Sequence, residues 1–193
     1  MTEKVTVFHV GKKNNVELFV TNNELFISLQ DGKWFGDGMY FWDNKSNCSF
    51  WIKDRKYSEG EYAVVQSSLQ YDSEDILDFT DNEAVKNFDQ MQNLVALALK
   101  LSPDESEKMK TELGFAINRC FKYQGMMKKE LPSIVKGTGH YPRTPKVSER
   151  IKSQFVSTYG NKVHAAPTID VKMIYCVKNN KVISCEDTAI IEL

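Results

Sequence analysis

Two segments in the middle of the chain carry helix start signals, and strand-like segments flank them on both sides. Thr80 and Glu83 match a capping box, and Ser102 and Glu105 match a second one with Pro103 at the first helical position. Apolar residues follow each box at helical spacing, and Gly125 would end the second helix. Their short connection predicts an antiparallel helical hairpin near residues 80–125.

Segments rich in β-branched and aromatic residues lie before and after this hairpin. They are Lys4–Val10, Met39–Trp42, Tyr62–Leu69, Lys172–Val177 and Thr188–Leu193. Strands first, helices in the middle and strands last indicate an α+β fold rather than the regular alternation of a doubly wound sheet. A length of 193 residues fits one domain over 1–193, with the helical hairpin as an insertion.

Composition excludes several classes of protein. Hydrophobic residues make up 41% of the chain, which argues against disorder. The four cysteines form no CxxC pair, so we expect neither a disulfide framework nor a bound metal. A net charge of −1 argues against global attraction to nucleic acid. No signal-peptide pattern and no apolar run of about 18 residues are seen, so we expect a cytoplasmic protein without membrane contact.

The charged residues are unevenly distributed. Residues 72–112 carry eleven acidic and four basic side chains, whereas residues 128–152 carry seven basic and two acidic ones. The basic stretch also contains Gly137, Gly139, Pro142 and Pro145, so it is predicted to be a loop. Such a loop is either a solvated surface or a contact for an anionic target. His140 lies in it and is a secondary candidate for the border of a cleft, whereas His164 has no motif around it.

The run Trp34–Trp42, WFGDGMYFW, is unusual for a core strand. Two glycines two positions apart let the backbone turn sharply and approach another group closely. Trp51 follows Tyr40 by eleven residues, so a strand and three turns of helix would bring their rings together. A slot between two aromatic rings suits a planar, electron-poor ring such as nicotinamide. The alternative is that these aromatic side chains only fill the core.

His9, the FGxGxYF pattern at Phe35–Phe41 and the aromatic residue eleven positions after Tyr40 resemble the ADP-ribosyltransferase family. The resemblance is closest to the branch shared by poly(ADP-ribose) polymerases and small bacterial toxin-like transferases. It implies a split, mostly antiparallel β core in which a His–Tyr–Glu signature on three strands surrounds an NAD cleft.

The resemblance also implies a role for each matched residue. His9 would hold the adenosine ribose, the backbone of Val10 would bind the nicotinamide amide beside Gly11, and Tyr40 and Trp51 would enclose the nicotinamide ring. The family has glycine directly after the histidine, whereas here Val10 intervenes before Gly11, so we expect its side chain to narrow the approach.

The third signature position departs further from the family. The Lys172–Val177 strand resembles the one that carries the family's glutamate, and the best register places Ile174 there. A register shifted by four residues would place Asp170 there instead, and Glu186 is the next acidic residue after the strand. A carboxylate at this point stabilises the oxocarbenium-like sugar, so its loss should slow cleavage by roughly 10²–10³.

These observations predict an NAD-dependent mono-ADP-ribosyltransferase with His9, Tyr40 and Ile174 in the catalytic positions. NAD is the expected substrate, and a protein or nucleic acid is the expected acceptor. The resemblance further implies a toxin or an anti-phage effector with a cognate antitoxin or inhibitor. The alternatives are a catalytically weak or inactive binding module of the same fold, transfer of an RNA 2′-phosphate to NAD, and an unrelated α+β protein.

Overall fold

The computed structural model describes residues 2–29, 34–140 and 171–193, and their strands form one seven-stranded sheet. The strands are Glu3–Lys12 (β1), Met39–Trp42 (β2), Tyr62–Tyr71 (β3), Ile76–Asp78 (β4), Ile134–His140 (β5), Val171–Val177 (β6) and Ile183–Ile191 (β7). Their spatial order is β4-β5-β6-β2-β1-β3-β7, and every pair is antiparallel except β4 with β5. The predicted fold class, α+β, is therefore confirmed.

Within the described ranges the chain forms five α-helices, which pack on the two faces of the sheet. They are Lys13–Asn22 (α1), Ser46–Arg55 (α2), Asn82–Ala98 (α3), Pro103–Thr111 (α4) and Leu113–Met126 (α5). Buried side chains of α1 share one core with Val7 and Phe41, whereas those of α3, α4 and α5 share another core with Val10 and Trp42. None of the described helices is long and apolar enough to cross a membrane.

The helical insertion differs from its prediction at two points. Asp81, not Thr80, caps α3 by accepting a hydrogen bond from the Glu83 N–H at 2.8 Å, because the Thr80 hydroxyl donates to Asp78. The second capping box, at Ser102, is confirmed. The single helix predicted after it is two helices, since the backbone at Glu112 is extended at φ −119° and ψ 94°, and α5 continues past Gly125.

Three elements were not predicted, one of which is the short strand β4 at Ile76–Asp78. The basic stretch is not a loop throughout, because β5 occupies its centre and buries Ile134 and Val135. Gly137 in β5 leaves room for an aromatic ring, since a Cβ there would lie 2.5 Å from the Phe35 side chain. The third missed element is α1, whose first residue has no side-chain cap before it. Residues 141–152 of the basic stretch, the His140 side chain and His164 lie outside the described residues.

The sheet opens between β1 and β2. β1 pairs with β3 over its whole length, from Glu3 opposite Tyr71 to Lys12 opposite Tyr62. In contrast, β1 pairs with β2 at Phe8, which lies opposite Trp42. Residues of both strands beyond this pair, Val10 to Lys12 and Tyr40, line a cavity.

Candidate functional site

A cavity of about 310 Å³ lies at the opening between β1 and β2. The six residues that the sequence indicated all line it: His9, Val10, Gly11, Tyr40, Trp51 and Ile174. They come from β1, β2, β6 and α2, and the first three of these elements are neighbours in the order β6-β2-β1. The structure therefore brings the candidate site residues together around one space. Sequence reasoning missed several further lining residues, among them Lys12, Trp42 and Arg55.

The imidazole of His9 is held in one orientation. Its Nδ1–H donates a hydrogen bond of 2.7 Å to the Tyr40 carbonyl oxygen. Its ring is stacked on that of Trp42, with 6.5 Å between the ring centres and 11° between the ring planes. Because Nδ1 carries the proton, Nε2 is left as an acceptor. Gly11 keeps the space beside this atom open, since a Cβ at Gly11 would lie 2.9 Å from Nε2.

Burial lowers the pKa of His9 to about 4, and the hydrogen bond to the Tyr40 carbonyl opposes this shift only in part. The half-buried imidazole is therefore neutral at pH 7. In this state its Nε2 can accept a hydrogen bond from a hydroxyl group, such as that of a sugar.

Acidification from pH 7 to pH 4.5 is expected to reduce the free energy of unfolding by about 2 kcal/mol through His9. Its pKa is lower in the folded protein, so the unfolded chain takes up the proton first, from pH 6.5 downward, and the loss is nearly complete at about pH 4. Urea unfolding at a series of pH values measures the effect. The His9→Gln protein should lack this component, and an identical pH dependence in both proteins would contradict the assignment.

Gly11→Ala is expected to weaken binding of NAD, the ligand that the sequence resemblance implies, by about tenfold and to lower stability by about 1 kcal/mol. The new methyl group would lie 2.9 Å from His9 Nε2, so the ring must tilt away from the Tyr40 carbonyl. Calorimetric titration and urea unfolding measure the two effects. Gly125→Ala is the control, because no atom lies within 4 Å of a Cβ there. Unchanged NAD affinity in Gly11→Ala would show that Nε2 is not a contact.

Tyr40 is fixed through its hydroxyl group. The phenol donates to the carbonyl oxygen of Gly36 and accepts a hydrogen bond of 3.1 Å from the Phe35 N–H. Burial raises the pKa of the Tyr40 phenol, so the hydroxyl stays protonated. Both of its hydrogen-bonding roles are used within the turn, so Tyr40 offers the cavity its aromatic ring.

The turn before β2 is held from two other elements. Gly36 has φ +74°, a conformation that favours glycine. The Asp37 N–H donates a hydrogen bond of 2.9 Å to Oδ1 of Asn118 in α5. The Lys178 ammonium group, just after β6, donates to the carbonyl oxygens of Phe35 and Asp37. These contacts determine where Tyr40 lies in the cavity wall.

The peptide groups of Val10 face the opening in the sheet. Successive residues of a strand direct their N–H and C=O groups to opposite sides. The Lys13 N–H donates a hydrogen bond of 3.0 Å to the Glu61 carbonyl oxygen, on the β3 side. Phe8 pairs with Trp42 on the β2 side. The same alternation directs the Val10 groups toward β2. The Val10 side chain is 7% exposed and belongs to the core cluster, so most of its bulk lies in the core.

Trp51 belongs to a larger aromatic cluster than the predicted two-ring slot. The centre of its ring lies 5.8 Å from that of Trp42, with 31° between the ring planes, and 6.2 Å from that of Trp34, with 58° between the planes. The Arg55 guanidinium carbon lies 5.5 Å from the centre of the Trp51 ring. Trp34, Tyr40, Trp42 and Trp51 all line the cavity, which is therefore an aromatic box with a cation at its wall.

The charged side chains in the described cavity wall are both basic. Lys12 and Arg55 line it, and no acidic residue of the described chain does. Ile174 is 1% exposed and lies opposite Trp42 in the β2–β6 register. Glu186 is exposed on β7 and does not line the cavity, whereas Asp170 lies outside the described residues. Such a wall favours an anionic ligand.

Across residues 2–29, 34–140 and 171–193, no group of three His, Cys, Asp or Glu side chains is arranged to hold a metal ion.

Comparison with known proteins shows one distant relative. An uncharacterized protein of Methanocaldococcus jannaschii, MJ0359, is 26% identical over 186 residues, which cover 93% of this chain and 85% of that protein. No family model matches the chain. No solved structure matches it either.

Proposed function

We propose that the cavity between β1 and β2 binds NAD. The observation that carries this proposal is the convergence of His9, Val10, Tyr40 and Trp51 on one space of about 310 Å³. The aromatic rings suit the pyridinium ring of nicotinamide, whose positive charge is attracted to their electron-rich faces. The Val10 peptide groups face the same opening, where a carboxamide can exchange hydrogen bonds with them.

The remaining lining residues suit the other parts of NAD. His9 Nε2 is an acceptor at neutral pH, so it fits a ribose hydroxyl group. Lys12 and Arg55 supply positive charge for the diphosphate. This division of roles supports a fold of the ADP-ribosyltransferase type, with β1, β2 and β6 carrying the three signature positions.

We further propose that the protein transfers a single ADP-ribose group from NAD to a protein or nucleic-acid acceptor. In this reaction the nicotinamide–ribose bond breaks, nicotinamide leaves with the bonding electrons, and an acceptor nucleophile attacks C1′ of the ribose. The described wall offers no carboxylate to stabilise the positive sugar, so the acceptor has to supply part of that stabilisation. Slow single transfer is consistent with Ile174 at the third position, and a role as a toxin or anti-phage effector would fit it.

A second candidate function is a binding module that holds NAD or an ADP-ribosylated group without cleaving it. The basic wall favours it, because positive charge stabilises the anionic ligand and opposes the positive charge that develops during cleavage. Incubation with NAD labelled in the ADP-ribose part, with and without a cell lysate, separates the two. A labelled macromolecule supports transfer, whereas saturable NAD binding without any cleavage supports the binding module.

A substitution of Asp170 tests whether Ile174 or Asp170 occupies the third signature position. Asp170→Asn should leave NAD cleavage unchanged if Ile174 occupies that position. A loss of roughly 10²-fold or more would instead assign the carboxylate role to Asp170.

A further inference from the structure

We propose that Arg55 determines which nicotinamide compounds the cavity accepts. Its guanidinium group covers Trp51 when the cavity is empty and moves to the diphosphate when a dinucleotide binds. This inference rests on the proposed NAD site and adds a residue that the sequence did not indicate.

The starting position of Arg55 is defined by one ring contact. Its guanidinium carbon lies 5.5 Å from the centre of the Trp51 ring, and both residues line the cavity. Arg55 is the last residue of α2 and its side chain is exposed. Among the described residues no carboxylate forms an ion pair with it. An exposed cation held by one aromatic ring can change partners at low cost, because such a contact is weak.

The nicotinamide ring competes with Arg55 for the same aromatic surface. In NAD this ring is a pyridinium, and two positive groups repel each other over one aromatic ring. Entry of the nicotinamide beside Trp51 therefore displaces the guanidinium. The described wall holds no acidic residue to receive it and carries a second cation, Lys12. The displaced guanidinium, which is exposed, therefore enters solvent unless the ligand itself supplies negative charge.

A diphosphate supplies this charge in a suitable form. The planar guanidinium group can donate two parallel hydrogen bonds to phosphate oxygens. A dinucleotide thus compensates for the contact that it disrupts. Nicotinamide riboside has the same pyridinium ring but no phosphate, so it displaces Arg55 without providing a new partner.

Removal of Arg55 should therefore shift the two affinities in opposite directions. Arg55→Ala is expected to weaken NAD binding by about 10- to 100-fold, the range for a hydrogen bond between charged groups. The same change is expected to strengthen binding of nicotinamide riboside by about two- to fivefold, because the ring contact of the guanidinium no longer has to be broken.

Calorimetric titration of the full chain with NAD and with nicotinamide riboside tests the inference. Arg55→Lys keeps the positive charge but loses the planar guanidinium group and its two parallel hydrogen bonds. The NAD affinity of this variant should therefore lie between those of the wild type and Arg55→Ala. Lys53→Ala is the matched control, because Lys53 is an exposed cation on α2 that does not line the cavity. It should change neither affinity, and circular dichroism confirms that each variant is folded.

The outcomes are distinct. Opposite shifts in Arg55→Ala support the inference. Equal weakening of both ligands would overturn it, since Arg55 would then only support Trp51, and unchanged affinities would overturn it as well. If the wild-type protein binds neither ligand, the proposed NAD site fails and this inference fails with it. Binding of both ligands without opposite shifts refutes the role of Arg55 alone.

Discussion

Ile174→Glu is expected to raise the rate of NAD cleavage by roughly 10²–10³. Ile174 lines the cavity on β6, next to the strand that carries Tyr40, so a carboxylate introduced there would lie where the positive sugar develops. Because Ile174 is 1% exposed, the same change should lower the free energy of unfolding by about 3 kcal/mol. Release of nicotinamide, followed by chromatography, measures the rate.

Ile174→Gln is the matched control for this experiment. Glutamine has nearly the same shape as glutamate and carries no charge, so it separates the electrostatic effect from altered packing. We expect faster cleavage in the Glu variant than in the Gln variant or the wild type. Equal rates in folded Glu and Gln variants would show that Ile174 does not occupy the third signature position.

Trp51→Ala is expected to weaken NAD binding by about 1–3 kcal/mol, the range measured for loss of an aromatic stacking surface. The Trp51 ring lines the cavity and contacts Trp42 at 5.8 Å, so its removal leaves the nicotinamide without one wall. Stability should fall by about 2 kcal/mol, since the side chain is only half-buried. Calorimetric titration with NAD and urea unfolding give the two values.

Phe50→Ala is the control for Trp51→Ala. Phe50 is the neighbouring aromatic residue on α2, its ring lies 5.7 Å from Trp51, and it is 47% exposed outside the cavity wall. Its loss should leave NAD affinity within about twofold of the wild type. If the two variants lose NAD affinity equally, the effect reflects the packing of α2 and not a ring at the site.

Local sequence patterns predicted the elements whose formation depends on local interactions. The aromatic residues of Met39–Trp42 predicted the bounds of β2, and the Ser102 capping box predicted the start of α4. Both features act within a few residues, so a single sequence contains the information. The cavity residues carried by β1 and β2 were predicted from the resemblance of His9 and the FGxGxYF pattern to a known family.

Features that depend on tertiary packing were not predicted. Lys12 and Arg55 are far apart in sequence, and they share a cavity wall only because α2 packs beside the end of β1. The glycines and prolines of residues 128–152 predicted a loop, yet the burial of Ile134 and Val135 stabilises a strand there. The helix α1 has no capping residue at its start, and burial of Val16 and Phe19 holds it against the sheet.

Crystals soaked in NAD would show where the dinucleotide binds. We expect density for a flat ring beside Trp51 and Tyr40, with its carboxamide within hydrogen-bonding distance of the Val10 peptide groups and a ribose hydroxyl at His9 Nε2. Density for NAD at another place, or an empty cavity at a concentration that saturates binding in solution, would contradict it.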